Sequence, residues 1–192
     1  MKNYLKTGFI LFAICAICAA LCAYVNSVTA PRIAANQAAA NLEAAKAVSG
    51  GMIPGDLVSV SDIPGFDSAA YPAIKAVAVL TDDNGNIGGY QLELEGSGYG
   101  GSMTIIASYY SDGSLIGAKL TNNSETAGLG KKAENEWYMD MFKGKGADSA
   151  IPTSKNDLSE SDAAAISGAT ITFTGVSSVI KQGSDYVKEG AR

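Results

Sequence analysis

Residues 75–94 read Lys75-Ala-Val-Ala-Val-Leu-Thr81, Asp82-Asp-Asn-Gly-Asn86 and Ile87-Gly-Gly-Tyr-Gln-Leu-Glu-Leu94, and this stretch decides the fold. Two apolar segments flank an Asn-Gly pair, which is the strongest short signal for a tight β-hairpin turn. The stretch therefore predicts two antiparallel strands. Its turn is acidic but lacks the alternating ligands and closing glutamate of an EF-hand loop, so we expect a solvated turn and no calcium site.

A second pair of strands follows the same pattern. Residues 102–110 and 114–121 are rich in apolar and β-branched side chains, and Ser111-Asp-Gly113 between them is typical of a turn. Two hairpins predict an antiparallel sheet of at least four strands. A further short strand is predicted over residues 57–60, because Pro-Gly pairs mark turns on both sides.

The glycine-rich stretch Gly96-Ser-Gly-Tyr-Gly-Gly101 lies between the two hairpins. Its spacing matches a dinucleotide-binding fingerprint, but that fingerprint needs a helix after it, and residues 103–106 are typical of a strand. This excludes a Rossmann-type site. We expect the glycines to form a bulged crossover or to let a flat ligand approach the backbone. Tyr99 would then stack on that ligand or pack in the core.

Helices are predicted before and after the strands in the sequence, so the expected fold class is α+β. Residues 131–142 have apolar residues at helical spacing, with Trp137, Met141 and Phe142 on the apolar side. Alanine-rich residues 30–48 predict another helix, which Ser49-Gly-Gly51 should end.

The N-terminal part is typical of a transmembrane helix, since residues 8–25 contain no charged side chain. Lys2 and Lys6 precede this segment, so we expect a cytoplasmic N-terminus and an extracytoplasmic domain. A cleaved signal sequence, a lipoprotein signal and a type IV pilin segment fit the residues less well. The expected division is 1–25 for the N-terminus and membrane helix, 26–50 for a membrane-proximal helix, and 51–192 for the domain.

All three cysteines, Cys15, Cys18 and Cys22, share one face of the predicted membrane helix. We expect them to pack against neighbouring helices; the alternative is a metal or iron–sulfur site shared with partner subunits.

The composition of the chain excludes some classes of function, because the 192 residues include no histidine and carry a net charge of −5. Histidine-activated nucleophiles are excluded, and nucleic acid is not an expected partner. We predict no catalytic residue and no metal site.

The stretch Ser167-Gly-Ala-Thr170 precedes apolar residues at helical spacing, which predicts a helix beginning near Ala169 or Thr170. Unpaired backbone N–H groups and the positive end of the helix dipole make such a start suitable for a phosphate group. The alternative is an ordinary helix N-cap with threonines on a solvated first turn. We expect Ser167 to be the residue that caps this helix.

Three motifs occur in a fixed order: Gly98-Tyr-Gly-Gly101, Glu125-Thr-Ala-Gly-Leu-Gly130 and Ser167-Gly-Ala-Thr170. Together they resemble the FMN-binding domain family, which includes the G subunit of the Rnf electron transport complex and the C subunit of the sodium-pumping NADH:quinone reductase. The family usually has proline at the position of Ala127. In this family the threonine that closes the last motif carries FMN through a phosphoester, and on this chain it is Thr170.

The resemblance implies an electron-carrying subunit of an Rnf-type ferredoxin:NAD oxidoreductase that translocates sodium ions or protons, held in the cytoplasmic membrane by one helix. It further implies the other subunits of that complex as partners and a separate Mg²⁺-dependent flavin transferase that attaches FMN. Two alternatives are a stand-alone membrane-anchored flavoprotein reductase outside the cytoplasm and a non-redox, pilus-like binding module. The expected cofactor-binding residues are Thr170, Ser167, Gly168, Ala169, Glu125, Thr126, Leu129, Gly130 and Tyr99, with Gly98 and Gly101 as a second wall.

Overall fold

The computed structural model describes residues 2–190, with side chains from residue 4 onward, and the chain divides into two compact units, Met1–Ala39 and Ala40–Arg192. The first unit is helical. The second contains an antiparallel sheet with helices after it, so the expected α+β class is confirmed.

Helix α1 (Lys2–Ala47) contains both the predicted membrane segment and the predicted helix over residues 30–48. It runs without interruption through Pro31 and ends just before Ser49-Gly50-Gly51, as expected. In the described part of the chain it is the one helix long and apolar enough to cross a membrane, judged by length and composition. Its three cysteines are exposed and unbonded to one another. The domain boundaries at residues 25 and 50 stay predictions.

The sheet has four long strands and two short ones. The strands are β1 (Ile53–Pro54), β2 (Val58–Ser59), β3 (Ile74–Thr81), β4 (Ile87–Ser97), β5 (Ser102–Tyr110) and β6 (Leu115–Asn123). Their order in the sheet is β1-β3-β4-β5-β6, with β2 also pairing with β3, and all pairs are antiparallel. Both predicted hairpins are confirmed, and the strand expected over residues 57–60 is reduced to two residues.

The glycine-rich stretch is a third hairpin turn, so the expected bulged crossover is wrong. Strands β4 and β5 pair in continuous register from Gly89 with Tyr110 to Ser97 with Ser102. Gly98 closes the turn, because its N–H donates to the carbonyl of Gly101 at 2.9 Å. The four long strands therefore form a simple meander, and the glycines lie at one end of the sheet.

The main core lies on one face of the sheet, where α4 (Thr170–Lys188) packs. Alternate residues of each strand point to this face, in agreement with the period of two in the sequence. The fully buried partners from the sheet include Leu92, Leu94, Ile105 and Tyr109, and those from α4 include Phe173, Val176 and Ile180. The hydroxyl of Tyr109 also donates to the carbonyl of Ile180 at 2.9 Å.

The last turns of α1, within the second unit, cover the opposite face. Ala44, Ala45 and Val48 pack against Ile106 of β5. On the same face the side-chain amide of Gln91 donates to the carbonyl of Ala45 and to the hydroxyl of Ser108, each at 2.9 Å. The sheet is thus enclosed on both faces.

The segment after the sheet differs from its prediction. Instead of one helix over residues 131–142 there is a 3-10 helix (Gly130–Glu134) and a short helix α2 (Glu136–Asp140). The break lies at Asn135, whose backbone is extended (φ −81°, ψ 144°). Because the helical register restarts there, Tyr138 and Phe142 are buried, while Trp137, expected on the apolar side, is 41% exposed. Another 3-10 helix (Lys155–Asp157) and α3 (Glu160–Ala165) follow before α4, and an earlier 3-10 helix (Val60–Asp62) lies directly after β2.

The buried hydroxyl of Tyr138 has no hydrogen-bond partner among the described residues, whereas that of Tyr109 has one. We expect Tyr138→Phe to stabilise the fold by about 1 kcal/mol, because it removes an unsatisfied buried polar atom. Tyr109→Phe makes the same chemical change and should destabilise it by about 1 kcal/mol. Thermal unfolding of the full chain in detergent, followed by circular dichroism, compares the two variants. A lower midpoint for Tyr138→Phe would contradict the prediction.

Candidate functional site

The start of α4 is the centre of the candidate site. Thr170 is its first residue, and the first intrahelical hydrogen bond runs from the N–H of Phe173 to the carbonyl of Ala169 at 2.9 Å. The N–H groups of Thr170, Ile171 and Thr172 therefore precede the helical ladder. The N-cap residue is Ala169, and no side chain caps the helix. The expectation that Ser167 caps it is wrong, because Ser167 lies two residues further upstream on the exposed loop.

A cleft of about 420 Å³ opens beside this helix start. It is formed by the β4–β5 turn, the loop before the 3-10 helix Gly130–Glu134, and the loop and first turn of α4. Every residue predicted to bind the cofactor lines this cleft except Ser167. Gly98 and Gly101, which were expected to form a second wall, do not line it. The lining residues are Tyr99, Glu125, Thr126, Leu129, Gly130, Gly168, Ala169, Thr170, Ile171 and Thr172.

Two of these residues, Ile171 and Thr172, were not predicted to bind the cofactor, although they directly follow Thr170. A helix that begins at Thr170 turns by about 100° per residue, so its next two side chains cover much of the circumference of the first turn. The position of the helix start was therefore the signal that could have found them.

The rim of the cleft is apolar and open. Tyr99 is 74% exposed, so it does not pack in the core, and Leu129 and Ile171 are 43% and 58% exposed. Thr170 is exposed and also lines the cleft. Apolar and aromatic walls with a few polar groups are typical of small-molecule sites. The arrangement suits a flat aromatic ligand that also carries a phosphate.

Glu125 is buried in the wall of the cleft, with only 5% of its surface exposed. One carboxylate oxygen accepts the N–H of Gly100 at 2.9 Å, and the other accepts the hydroxyl of Thr172 at 2.8 Å. Its own N–H donates to the side-chain oxygen of Asn123 at 2.9 Å. Both carboxylate oxygens are thus held by other parts of the chain.

Two glycines leave room for this carboxylate. A Cβ added at Gly98 would lie 2.1 Å from Oε1 of Glu125, and one added at Gly130 would lie 2.1 Å from Oε2. Both distances are far below van der Waals contact. Side chains at these positions would displace the carboxylate from its two donors.

Further polar groups lie near the site. The ammonium group of Lys132 donates to the carbonyl of Ala165 at 3.0 Å, which joins the 3-10 helix Gly130–Glu134 to the end of α3. Burial raises the pKa of the Tyr138 hydroxyl, and the negative charge of Glu125 raises it further. Tyr138 is therefore a neutral phenol at neutral pH. Within residues 2–190 no cluster of three acidic, cysteine or histidine side chains could hold a metal ion.

A larger cleft of about 680 Å³ lies between the end of α1, β6 and α2. It contains none of the predicted site residues. The smaller cleft beside Thr170, which contains eight of the nine predicted cofactor-binding residues, is therefore the better candidate.

Comparison with known families supports this site. Residues 98–185 match the FMN-binding domain, and residues 1–48 match the RnfG N-terminal region. The first match includes the turn, the loop and the helix start that form the cleft. The expected resemblance to the FMN-binding domain family is confirmed.

Individual relatives agree with these matches. The chain is 32% identical over 98 residues to the G subunit of the proton-translocating ferredoxin:NAD(+) oxidoreductase complex of Clostridium ljungdahlii. This match covers 51% of the chain and 52% of that protein, so the chain spans about half the length of this relative. The G subunit of an ion-translocating oxidoreductase complex from Methanosarcina acetivorans is 28% identical over 187 residues, which cover 97% of the chain and 95% of the relative.

The fold also has a counterpart among solved structures. The C subunit of the Na(+)-translocating NADH-quinone reductase from Parabacteroides distasonis superposes with a TM-score of 0.54 at 24% identity. The match covers 82% of this chain and 95% of that one. At this identity the comparison supports the fold alone, and it agrees with the antiparallel sheet and flanking helices.

Because Gly130 leaves no space for a methyl group, we expect Gly130→Ala to destabilise the fold by about 1–3 kcal/mol through overpacking against Glu125. Gly117→Ala in β6 is the matched control, since its added Cβ would meet Val48 at 3.5 Å, an ordinary contact. We expect this control to be neutral or slightly stabilising. Urea unfolding of the full chain in detergent measures both. Equal midpoints for the two variants would show that the carboxylate can move aside without cost.

Proposed function

We propose that this chain, which carries an FMN-binding domain over residues 98–185 and resembles the G subunit of the Rnf complex, relays electrons through an FMN attached to Thr170. The observation that carries the proposal is the position of the Thr170 hydroxyl. It stands at an uncapped helix start, on the wall of an apolar cleft that the three sequence motifs form together.

The residues present fit such a group. The cleft volume of about 420 Å³ lies in the range of small-molecule sites. Tyr99, Leu129 and Ile171 offer apolar surface to a flat ring, and the free N–H groups at the start of α4 offer donors to a phosphate. The flavin, when bound, supplies the redox chemistry, and the chain supplies binding and orientation.

Thr170 is the proposed attachment point. An unactivated threonine hydroxyl is a poor nucleophile, and the chain has no histidine to act as its base. We therefore infer a separate Mg²⁺-dependent flavin transferase. In the transfer the Thr170 oxygen forms a bond to the FMN phosphorus of FAD, the pyrophosphate bond breaks, AMP leaves, and the hydroxyl proton goes to the transferase. The product is a phosphoester on Thr170.

The other residues of the cleft have simpler roles. Thr126, Leu129 and Tyr99 would contact the ring, and Gly168 and Ala169 would lie beside the phosphate. Ser167 remains a predicted contact, although it does not line the cleft. Direct bonding of the Glu125 carboxylate to the ring is not proposed, because both its oxygens are already engaged.

The wider role follows from the relatives. We infer that the chain is part of a membrane complex that couples reduced ferredoxin and NAD to the translocation of protons or sodium ions. One relative is the G subunit of a proton-translocating ferredoxin:NAD(+) oxidoreductase complex, and another is the G subunit of an ion-translocating oxidoreductase complex. Neither the ferredoxin site nor the NAD site is assigned to this chain. Helix α1 would anchor it, with the N-terminus in the cytoplasm and the domain outside, where a covalent link prevents the loss of FMN.

Attachment is tested by co-expressing the full chain with a flavin transferase and measuring intact mass and in-gel flavin fluorescence. We expect the wild-type chain to gain the mass of one FMN less one water and to fluoresce. Thr170→Val should abolish both signals, because it removes the accepting hydroxyl. Thr174→Val, one turn later on the exposed side of the same helix, is the control and should keep them. An adduct on Thr170→Val, or none on the wild type, would refute the assignment.

Orientation is tested with a single cysteine in a background where Cys15, Cys18 and Cys22 are replaced. Asp83→Cys lies in the exposed β3–β4 turn, and Lys6→Cys precedes the apolar segment. We expect an impermeant maleimide to label the Asp83→Cys chain in intact cells and the Lys6→Cys chain only after permeabilisation. The reverse pattern would place the domain in the cytoplasm.

A further inference from the structure

We propose that Glu125 is a positioning residue of the flavin site, which ties three separate segments together and thereby sets the direction in which Thr170 points. The inference rests on the proposed function. It changes the role of Glu125 from a contact of the ring to a brace of the cleft.

The brace joins parts of the chain that are far apart in sequence. Gly100 lies in the β4–β5 turn beside Tyr99, Glu125 in the loop before the 3-10 helix Gly130–Glu134, and Thr172 in the first turn of α4. The two hydrogen bonds, of 2.9 and 2.8 Å, connect all three. Bonds to an ionised carboxylate are about twice as strong as those between neutral groups. Each segment contributes a wall of the cleft, so the Glu125 side chain fixes the positions of the walls relative to one another.

The bond to Thr172 also sets the rotation of the helix start. In an α-helix, residues two apart point about 200° away from each other. Thr172 is 1% exposed and faces Glu125, whereas Thr170 is exposed. Holding the Thr172 hydroxyl inward therefore holds the Thr170 hydroxyl outward, where a transferase can reach it.

A buried carboxylate is a costly way to make two hydrogen bonds. None of the salt bridges among the described residues includes Glu125. Burying an ion without a partner of opposite charge is strongly unfavourable, because the ion loses its hydration. A glutamine would accept the Gly100 N–H without this cost. The charge itself therefore has a use, and its position in the cleft wall would oppose the arrival of an electron at a group bound there.

The site is also shaped for this carboxylate. Gly98 and Gly130 lie on its two sides, one against each oxygen, and neither position has space for a side chain. Two of the three sequence motifs thus contribute a glycine to the space that Glu125 occupies.

The test separates the effect of the Thr172 hydroxyl, the effect of the Glu125 charge and the effect of a loss of stability. Thr172→Val removes the hydroxyl and keeps the charge, while Thr172→Ser restores the hydroxyl. Glu125→Gln removes the charge and keeps groups that can bond both neighbours. Ser184→Ala is the structural control, since it removes a buried 2.7 Å hydrogen bond from the same helix to the carbonyl of Gly113, away from the cleft.

Each full-length variant is co-expressed with the transferase and followed by intact mass for the rate of FMN attachment and by spectroelectrochemistry for the midpoint potential. We expect attachment to slow about tenfold in Thr172→Val, as for the loss of one hydrogen bond to a charged group, and to stay near wild type in Thr172→Ser and Ser184→Ala. Glu125→Gln should shift the potential to more positive values, whereas Thr172→Ser and Ser184→Ala should leave it unchanged.

The outcomes distinguish this inference from the proposed function. If the wild-type chain acquires no FMN, the proposed function itself fails. If it does, a wild-type rate for Thr172→Val or a slow rate for Thr172→Ser overturns the positioning role. An unchanged potential in Glu125→Gln overturns the role of the charge. Circular dichroism of each variant before flavin attachment confirms that the chain is folded, and Ser184→Ala shows how much a comparable loss of stability alone alters both readouts.

Discussion

The packing of α4 on the sheet is the interaction on which the rest of the domain depends. Phe173, Val176 and Ile180 are fully buried against the strands, and the Tyr109 hydroxyl joins the sheet to the carbonyl of Ile180. Burial of such side chains contributes roughly 1.5–3 kcal/mol each. Because a helix is stiff, fixing its apolar side also fixes its first turn. Thr170 is thereby placed at the end of the sheet, beside the β4–β5 turn.

This arrangement separates stability from function along one helix. The inward residues of α4 belong to the core, while its first turn is left uncapped and borders an open cleft. A helix start without a cap has unsatisfied N–H groups, and a phosphate is a ligand that satisfies them. The rim formed by Tyr99, Leu129 and Ile171 is likewise exposed and apolar, and under the proposed function it would hold the flat ring of the flavin.

Particular residues show how far the sequence could be interpreted. The Asn-Gly turn, the two hairpins and the start of the last helix came from local signals, and the structure agrees with them. The helix over residues 131–142 was wrong because apolar spacing does not reveal the extended backbone of Asn135. The third hairpin was missed because glycines are compatible with a crossover as well as a turn. Most of the residues that line the cleft were predicted from three short motifs, and the spacing of apolar residues did not indicate them.

By itself the sequence determined the strands, their turns, the long apolar helix and the place of Thr170 at a helix start. Each of these follows from residues within a few positions of one another, through the period of a strand or helix and the backbone preferences of asparagine and glycine. Only the tertiary structure decided what surrounds Thr170. The carboxylate of Glu125 meets Gly100 and Thr172 across 25 and 47 residues of chain, and contacts at such separation depend on how the sheet and α4 pack, which no local pattern records.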